Sequence, residues 1–389
     1  MNDIPLSKPD IGEQEIDAVV SALKSSRLSL GPRLEEFEQR VADYVSVPQA
    51  IAVSSGTAGL HLCLLAMGIG PGHEVLVPSF TFIAAANVVR YVGAIPVFVD
   101  IEPSTLNMDA RAIERRITPS TRAIMVVHTF GCPAEMAALL DIARRHKLLV
   151  LEDACEAIGA EYDGGRVGSF GDAGVFGFYP NKQITTGEGG VIVTRNRALA
   201  HDLRALRNQG RYESDAWHQH SILGYNYRLS EINAALGCAQ MQRLDSILAA
   251  RTAVAETYDS LLSERPEFLR PVIQPFGMKV SWFVYVVRLP AALGRHDRDE
   301  VVRQMQAVGI QCGRYFAPIH SQPAYANLPA GEALPATERE SERTIALPFF
   351  TSMSDAEVKR VASELFRVTD TLLAGFRTGS RETSSNPAF

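Results

Sequence analysis

The sequence predicts an α/β protein in which a mostly parallel sheet is sandwiched by helices and followed by a smaller C-terminal α+β unit. Three observations carry this. From about residue 48, short apolar runs alternate with stretches of helical periodicity, as in a parallel sheet whose crossovers are helices. Runs such as Ala123–His128 and Leu148–Leu151 are apolar at nearly every position, as strands buried on both faces require. Polar residues recur directly after these runs (Thr57, Phe82 with its polar neighbours, His128, Asp153), where an open α/β sheet collects its functional groups.

Taken in order, Ala50–Val53 is the first predicted strand, and the helix after it spans Ala58–Met67 and stops at Gly68. Glu74–Pro78 is a strand, followed by a helix over Phe82–Val92 that Gly93 closes. Ile95–Ile101 and Ala123–His128 are strands of the fully buried type. Pro133 opens a helix to His146 or Lys147, since proline suits a first helical turn. Leu148–Leu151 is a strand ending at Glu152–Asp153, and Ala173–Phe178 and Val191–Thr194 follow, with a helix over Ala198–Arg207. Asn208–Gly224 is polar and aromatic without periodicity and predicts a long loop. A helix resumes near Ser230 and runs past Arg251; residues 283–289 are a strand, and Asp297–Val308 and Asp355–Leu373 are helices. The chain thus divides into a large domain over 1–250, a small one over 251–376, and a tail over 377–389 whose Ser, Thr, Asn and Pro content predicts disorder.

Composition narrows the function classes. The chain has 389 residues, 46% hydrophobic and 21% charged, enough for a large core and two domains. A net charge of -6 without a local basic run argues against a nucleic-acid partner. The 5 cysteines, at 63, 132, 155, 238 and 312, are odd in number and form no CxxC. They are expected to be small buried apolar residues rather than a disulfide frame or metal site, with Cys155, beside Asp153, the one to watch. The start Met-Asn-Asp-Ile-Pro lacks a secretory pattern. The most apolar stretch, Phe80–Ile101, is broken by Asn87, Arg90 and Gly93, so no membrane span is expected. The expectation is a cytoplasmic enzyme.

Three residues suggest its chemistry. Lys182 lies between an apolar strand and a Gly-rich turn, in Phe176-Gly-Phe-Tyr-Pro-Asn-Lys182-Gln-Ile-Thr-Thr-Gly-Glu-Gly-Gly190. A lysine drawn toward burial needs a role for its amine, and one such role is a Schiff base to an aldehyde cofactor. Asp153 ends an almost wholly apolar strand, where a carboxylate needs a cationic or donor partner such as a pyridinium nitrogen. Ser54-Ser55-Gly56-Thr57 joins a strand to a helix, and a helix N-terminus suits a phosphate. Each has a commoner explanation alone: a solvated lysine, or an N-cap for Asp153 and for the Ser/Thr turn. Their conjunction describes a pyridoxal 5'-phosphate (PLP) site. Phe82 is placed to stack on a flat ring, and Glu156 lies one helical turn past Asp153. Asn226 and Arg228 precede a helix in Gly224-Tyr-Asn-Tyr-Arg-Leu-Ser230.

Motifs in this order resemble the DegT/DnrJ/EryC1/StrS family of PLP-dependent nucleotide-sugar aminotransferases. The likeness rests on Ser54–Ala58, Val77–Ala84, Glu152–Gly159, the Lys182 segment, Gly224–Ser230, Pro318–His320 and Leu28–Pro32, and covers nearly the whole chain except the tail. It implies PLP fold type I and a homodimer with a shared active site. Lys182 would bind the cofactor covalently and carry protons, Asp153 would pair with the ring nitrogen, and Phe82 would stack on the ring. Gly56 and Thr57 would hold the phosphate from one subunit and Asn226 from the other. Glu156 would stand near the ring hydroxyl. The family often has Ser five residues before the lysine, where this chain has Gly177, so one phosphate hydrogen bond is expected to be missing. The resemblance implies L-glutamate as amino donor and a nucleoside-diphosphate keto sugar as acceptor, a 4-keto-6-deoxy sugar foremost. A 3-keto sugar, a cyclitol or a non-catalytic PLP-binding regulator are the alternatives. Family dehydratases carry His at the lysine position, so Lys182 argues against that branch. Arg211, Trp217, His218, His220 and His320 are possible substrate contacts outside the catalytic set, and His128 is a marginal one.

Overall fold

The computed structural model describes residues 3–269, 277–328 and 331–377. Its centre is a seven-stranded sheet of β1 (Gln49–Val53), β2 (Glu74–Pro78), β3 (Ile95–Val99), β4 (Thr121–Val127), β5 (Leu149–Asp153), β6 (Ala173–Gly177) and β7 (Gly190–Thr194). The order across the sheet is β1-β7-β6-β5-β4-β2-β3. Neighbours from β6 to β3 are parallel, while β7 runs antiparallel to both β1 and β6. Apolar runs do not reveal that reversal. A parallel return needs a long crossover, usually a helix, and the chain from Gly177 to Gly190 contains none. It contains Lys182 instead. The antiparallel return therefore keeps the lysine loop at the carboxyl edge of the sheet, where Val53, Gly177 and Gly190 share one row of the ladder.

The helix Gly56–Ala66 shows why the sheet is double-faced. Leu60, Leu62, Cys63 and Leu64 are all fully or nearly fully buried, so it has no solvent face and lies inside a core. Gly59 permits the approach, because a Cβ there would come within 2.7 Å of Val175 Cγ1. Some elements start later than the sequence pattern indicates: the helix expected from Phe82 begins at Ala84, and that expected from Pro133 begins at Met136. Both shifts leave the preceding residues in the strand-to-helix loops, Phe82 among them.

Two further helices, Glu13–Leu23 and Pro32–Val45, pack on the long helix Glu231–Ser263. That long helix serves two cores: Ala234, Cys238, Leu244 and Ile247 face one, and Val254, Ala255, Tyr258 and Leu262 the other. The second core is built around β8 (Tyr285–Arg288) and β9 (Thr344–Leu347), an antiparallel pair covered by helices Arg295–Ala307 and Asp355–Arg377. Among the described residues no helix is long and apolar enough to cross a membrane, and no group of His, Cys, Asp and Glu is arranged to hold a metal ion. The tail expected to be disordered lies, beyond Arg377, outside the described residues.

Candidate active site

At the carboxyl edge of the sheet lies an open cavity of about 380 Å3 whose walls include Gly56, Thr57, Phe82, Asp153, Glu156 and Lys182. Strand alternation explains how β5 supplies it. Glu152 and Asp153 point to opposite faces. The Glu152 carboxylate accepts the amides of Gly168, Phe170 and Gly171 at 2.7–2.8 Å and lies 3.0 Å from His128 Nε2. His128 Nδ1 accepts the Ala134 amide at 3.1 Å, so its proton sits on Nε2 and its ring is committed to the scaffold. Asp153 faces the cavity. Its Oδ1 accepts the Cys155 amide at 3.2 Å. Burial pushes its carboxyl above the usual range, opposed by the Cys155 thiol and amide and then by Lys182 and His128.

Lys182 Nζ lies 3.6 Å from Glu156 Oε1 and 3.9 Å above the centre of the Phe283 ring. Glu156 Oε2 accepts the Phe130 amide at 2.9 Å, and burial raises its carboxyl while Lys182 draws it back. Two buried carboxylates thus share one ammonium, so the site has an excess of negative charge that a cation would balance. At the other end, Ser55 Oγ caps the helix by accepting the Ala58 amide at 3.0 Å. The amides of Gly56 and Thr57 find no acceptor among the described residues, as expected of a first helical turn open to an anion. A Cβ on Gly56 would come within 2.6 Å of Cys155 Sγ, and one on Gly190 within 2.7 Å of the Gly56 nitrogen. The turn is seated directly on its neighbours, which keeps those amides at the cavity wall. Phe82 is 60% exposed beside it, a ring surface without a cover of its own.

Residues 9–366 match the model of the DegT/DnrJ/EryC1/StrS aminotransferase family. The chain belongs to that family. A GDP-perosamine synthase of Caulobacter vibrioides is 43% identical over 373 residues, which cover 95% of this chain and 100% of the relative. Among solved structures, DesV of S. venezuelae superposes with a TM-score of 0.88 at 35% identity, over 95% of this chain and 99% of that one. Spr1654 of Streptococcus pneumoniae in its PLP form gives 0.91 at 28%, over 95% and 99%. This chain is thus a PLP-dependent sugar aminotransferase of PLP fold type I. The cavity fits the cofactor: the cradle of free amides suits its phosphate, and the excess carboxylate charge suits a protonated ring nitrogen.

Asn226, the remaining sequence candidate, does not line this cavity. It is exposed on a segment bridged to Asn208, whose Tyr227 carbonyl accepts the Ser54 amide at 2.8 Å. Arg211 packs its guanidinium 5.8 Å from the ring of the exposed Trp217, and His220 Nδ1 lies 2.8 Å from the Gln209 carbonyl; neither they nor His218 lines the cavity. Three aromatic walls escaped the sequence reading: Phe283, Tyr315 and Phe316. They arrive from more than 90 residues beyond Lys182, Phe283 at the start of an expected strand and the other two in a loop, and an aromatic in either setting has no local signature that separates a cavity wall from ordinary core.

Gly177 acquires a physical context. A Cβ there would lie 3.1 Å from Cys155 Cβ and 3.3 Å from Cys155 Sγ, so a serine at 177 needs Cys155 to give way. We expect Gly177→Ser to tighten PLP fully only with Cys155→Gly, which removes both contacting atoms, by about tenfold, the lower range for a hydrogen bond to a charged group. PLP dissociation constants measured on both variants check this, and equal affinities would refute the coupling.

Proposed function

We propose that this aminotransferase moves an amino group from L-glutamate to a 4-keto-6-deoxy sugar carried on a nucleoside diphosphate, and that it works as a homodimer. The single observation that carries the reading is that Lys182, with Nζ 3.6 Å from Glu156, lines one cavity together with Glu156 and Asp153. The likeness to a GDP-perosamine synthase supports GDP as the nucleotide. Residues 251–376 would form the smaller of two domains, supported by their separate core.

When bound, PLP supplies an electron-withdrawing ring that acidifies the carbon bearing the amino group. The protein's part is positioning and proton transfer. Gly56 and Thr57 would hold the phosphate with their amides. Asp153 would keep the ring nitrogen protonated, its burial making its charge effective because little water screens it. Phe82 would stack on the ring. Lys182 would hold the cofactor covalently and, once released by the incoming amine, its Nζ would carry the proton from the donor's α-carbon to the cofactor within the first half-reaction and from the cofactor to the acceptor carbon in the second. Glu156, 3.6 Å away, orients that ammonium and stands ready for the ring hydroxyl. Asn226, exposed and not part of its own cavity wall, is available to the phosphate of a second copy.

Near-visible absorbance of the PLP-loaded protein tests the reading. L-glutamate alone is expected to replace the band of lysine-bound PLP by that of the aminated cofactor, and a GDP-linked 4-keto-6-deoxy sugar to restore it. A band indifferent to glutamate would remove the proposed donor, and one that glutamate shifts but the sugar does not restore would remove the acceptor.

A further inference from the structure

A Ser–His–Glu relay lies just outside the cavity. Ser79 Oγ is 2.7 Å from His320 Nδ1, and His320 Nε2 is 3.4 Å from Glu338 Oε1. As a set of residue types this resembles the relay of a nucleophilic hydrolase, but the environment argues otherwise. Ser79 is 0% exposed and absent from the cavity wall, so no substrate reaches its oxygen.

Its hydrogen bonds are instead those of a joint. The Ser79 amide donates to the Val99 carbonyl at 3.3 Å, and its carbonyl accepts the Ile319 amide at 2.9 Å. Its Oγ accepts the His320 amide at 3.2 Å. The buried hydroxyl proton then has His320 Nδ1 as its acceptor, which leaves Nε2 protonated to donate toward Glu338. Every polar atom of Ser79 is used, and the imidazole takes both roles at once. The joint links two cavity walls that are remote in sequence. Thr81 and Phe82 follow Ser79 directly, while Tyr315 and Phe316 lie just ahead of His320. The second wall is also anchored by the Gly313–Ala346 bridge to the small sheet and by ring contacts of Phe316 with Phe80 and Phe130, so the hydrogen-bonded joint adds direction to an apolar contact.

We infer that Ser79, His320 and Glu338 form a clamp, and that His320 is a positioning residue that sets the distance between the Thr81–Phe82 and Tyr315–Phe316 walls. His320 thus bears on the acceptor substrate without touching it. The part concerning the acceptor rests on the proposed function; the clamp itself does not.

Hydrogen exchange on the PLP-loaded full chain, with and without the clamp, tests both parts. His320→Ala and Ser79→Ala are expected to speed exchange about tenfold in residues 80–84 and 313–321 together, as a shared local opening requires. His320→Asn, whose side chain can still accept from Ser79, is expected to restore protection. In steady state His320→Ala should raise the KM for the keto sugar about tenfold with kcat within about twofold, the signature of lost binding geometry rather than lost chemistry. Faster exchange in only one segment would overturn the clamp, as would a lowered melting temperature with KM unchanged. If His320→Ala does not fold, the comparison of Ser79→Ala with His320→Asn decides the matter. A wild-type enzyme that fails to aminate the sugar would remove the proposed function, while the exchange measurement would still decide the clamp.

Discussion

Lys182→Ala is expected to lower turnover by at least about 10⁴-fold, since it removes the proposed covalent anchor and proton carrier in one substitution. No other basic side chain lines the cavity among the described residues, so no neighbour can take over. The near-visible band of lysine-bound PLP should vanish as well. Lys182→Arg separates chemistry from electrostatics. It keeps a cation beside Glu156 and Phe283, but a guanidinium does not deprotonate in a protein and does not serve as this nucleophile. We expect the same loss of turnover from it. Retention of more than a few per cent of wild-type turnover by either variant would refute the role assigned to Lys182.

Asp153→Asn is expected to act in opposite directions with and without the cofactor. In the loaded enzyme it would remove the negative charge proposed to pair with the ring nitrogen, and kcat should fall about 10²–10³-fold, the usual cost of losing one preorganised electrostatic partner. In the cofactor-free protein the same charge is a burden, because burial raises the Asp153 carboxyl above its ordinary value of 3.8. A carboxyl raised in the folded state contributes its full stability below the unfolded value and loses it as pH rises through the raised one. Cofactor-free Asp153→Asn should therefore melt higher than wild type at neutral pH, and the gap should close as the pH is lowered toward 3.8. Adding PLP should reverse the order. Calorimetry across a pH series checks this, and a gap independent of pH would show that the burial of Asp153 is not its cause.

The legible part of the site has a common physical origin. Asp153 is conspicuous because it closes a run of residues with no other reason to end in a charge, and its partner Glu152 is equally conspicuous for a different reason. Strand alternation turns Glu152 away into a nest of backbone amides and His128, which leaves Asp153, the acid singled out from the sequence, at the cavity wall. Gly56 stands out because a turn between strand and helix at an anion site needs close approach, here against Cys155. The strands of the central sheet were legible because burial on both faces leaves nearly uninterrupted apolar runs. The two N-terminal helices were not read, although Pro32 and Gly31 mark the start of the second, because the second's apolar stripe is meaningful only against the core it covers, while the first leaves Ile16, Val20 and Leu23 exposed.

By itself the sequence determined the class of fold, the cofactor chemistry and the family, since each rests on short contiguous motifs whose spacing is local. The tertiary structure decided what depends on segments far apart in the chain. It turned β7 against its neighbours, so that the Lys182 loop stays at the carboxyl edge. It brought Phe283, Tyr315 and Phe316 around the lysine, and it joined Ser79 to His320 across 241 positions. Such contacts are made by ordinary residues in ordinary loops. Their meaning comes from which other residue they meet, and only the folded packing of the two cores settles that.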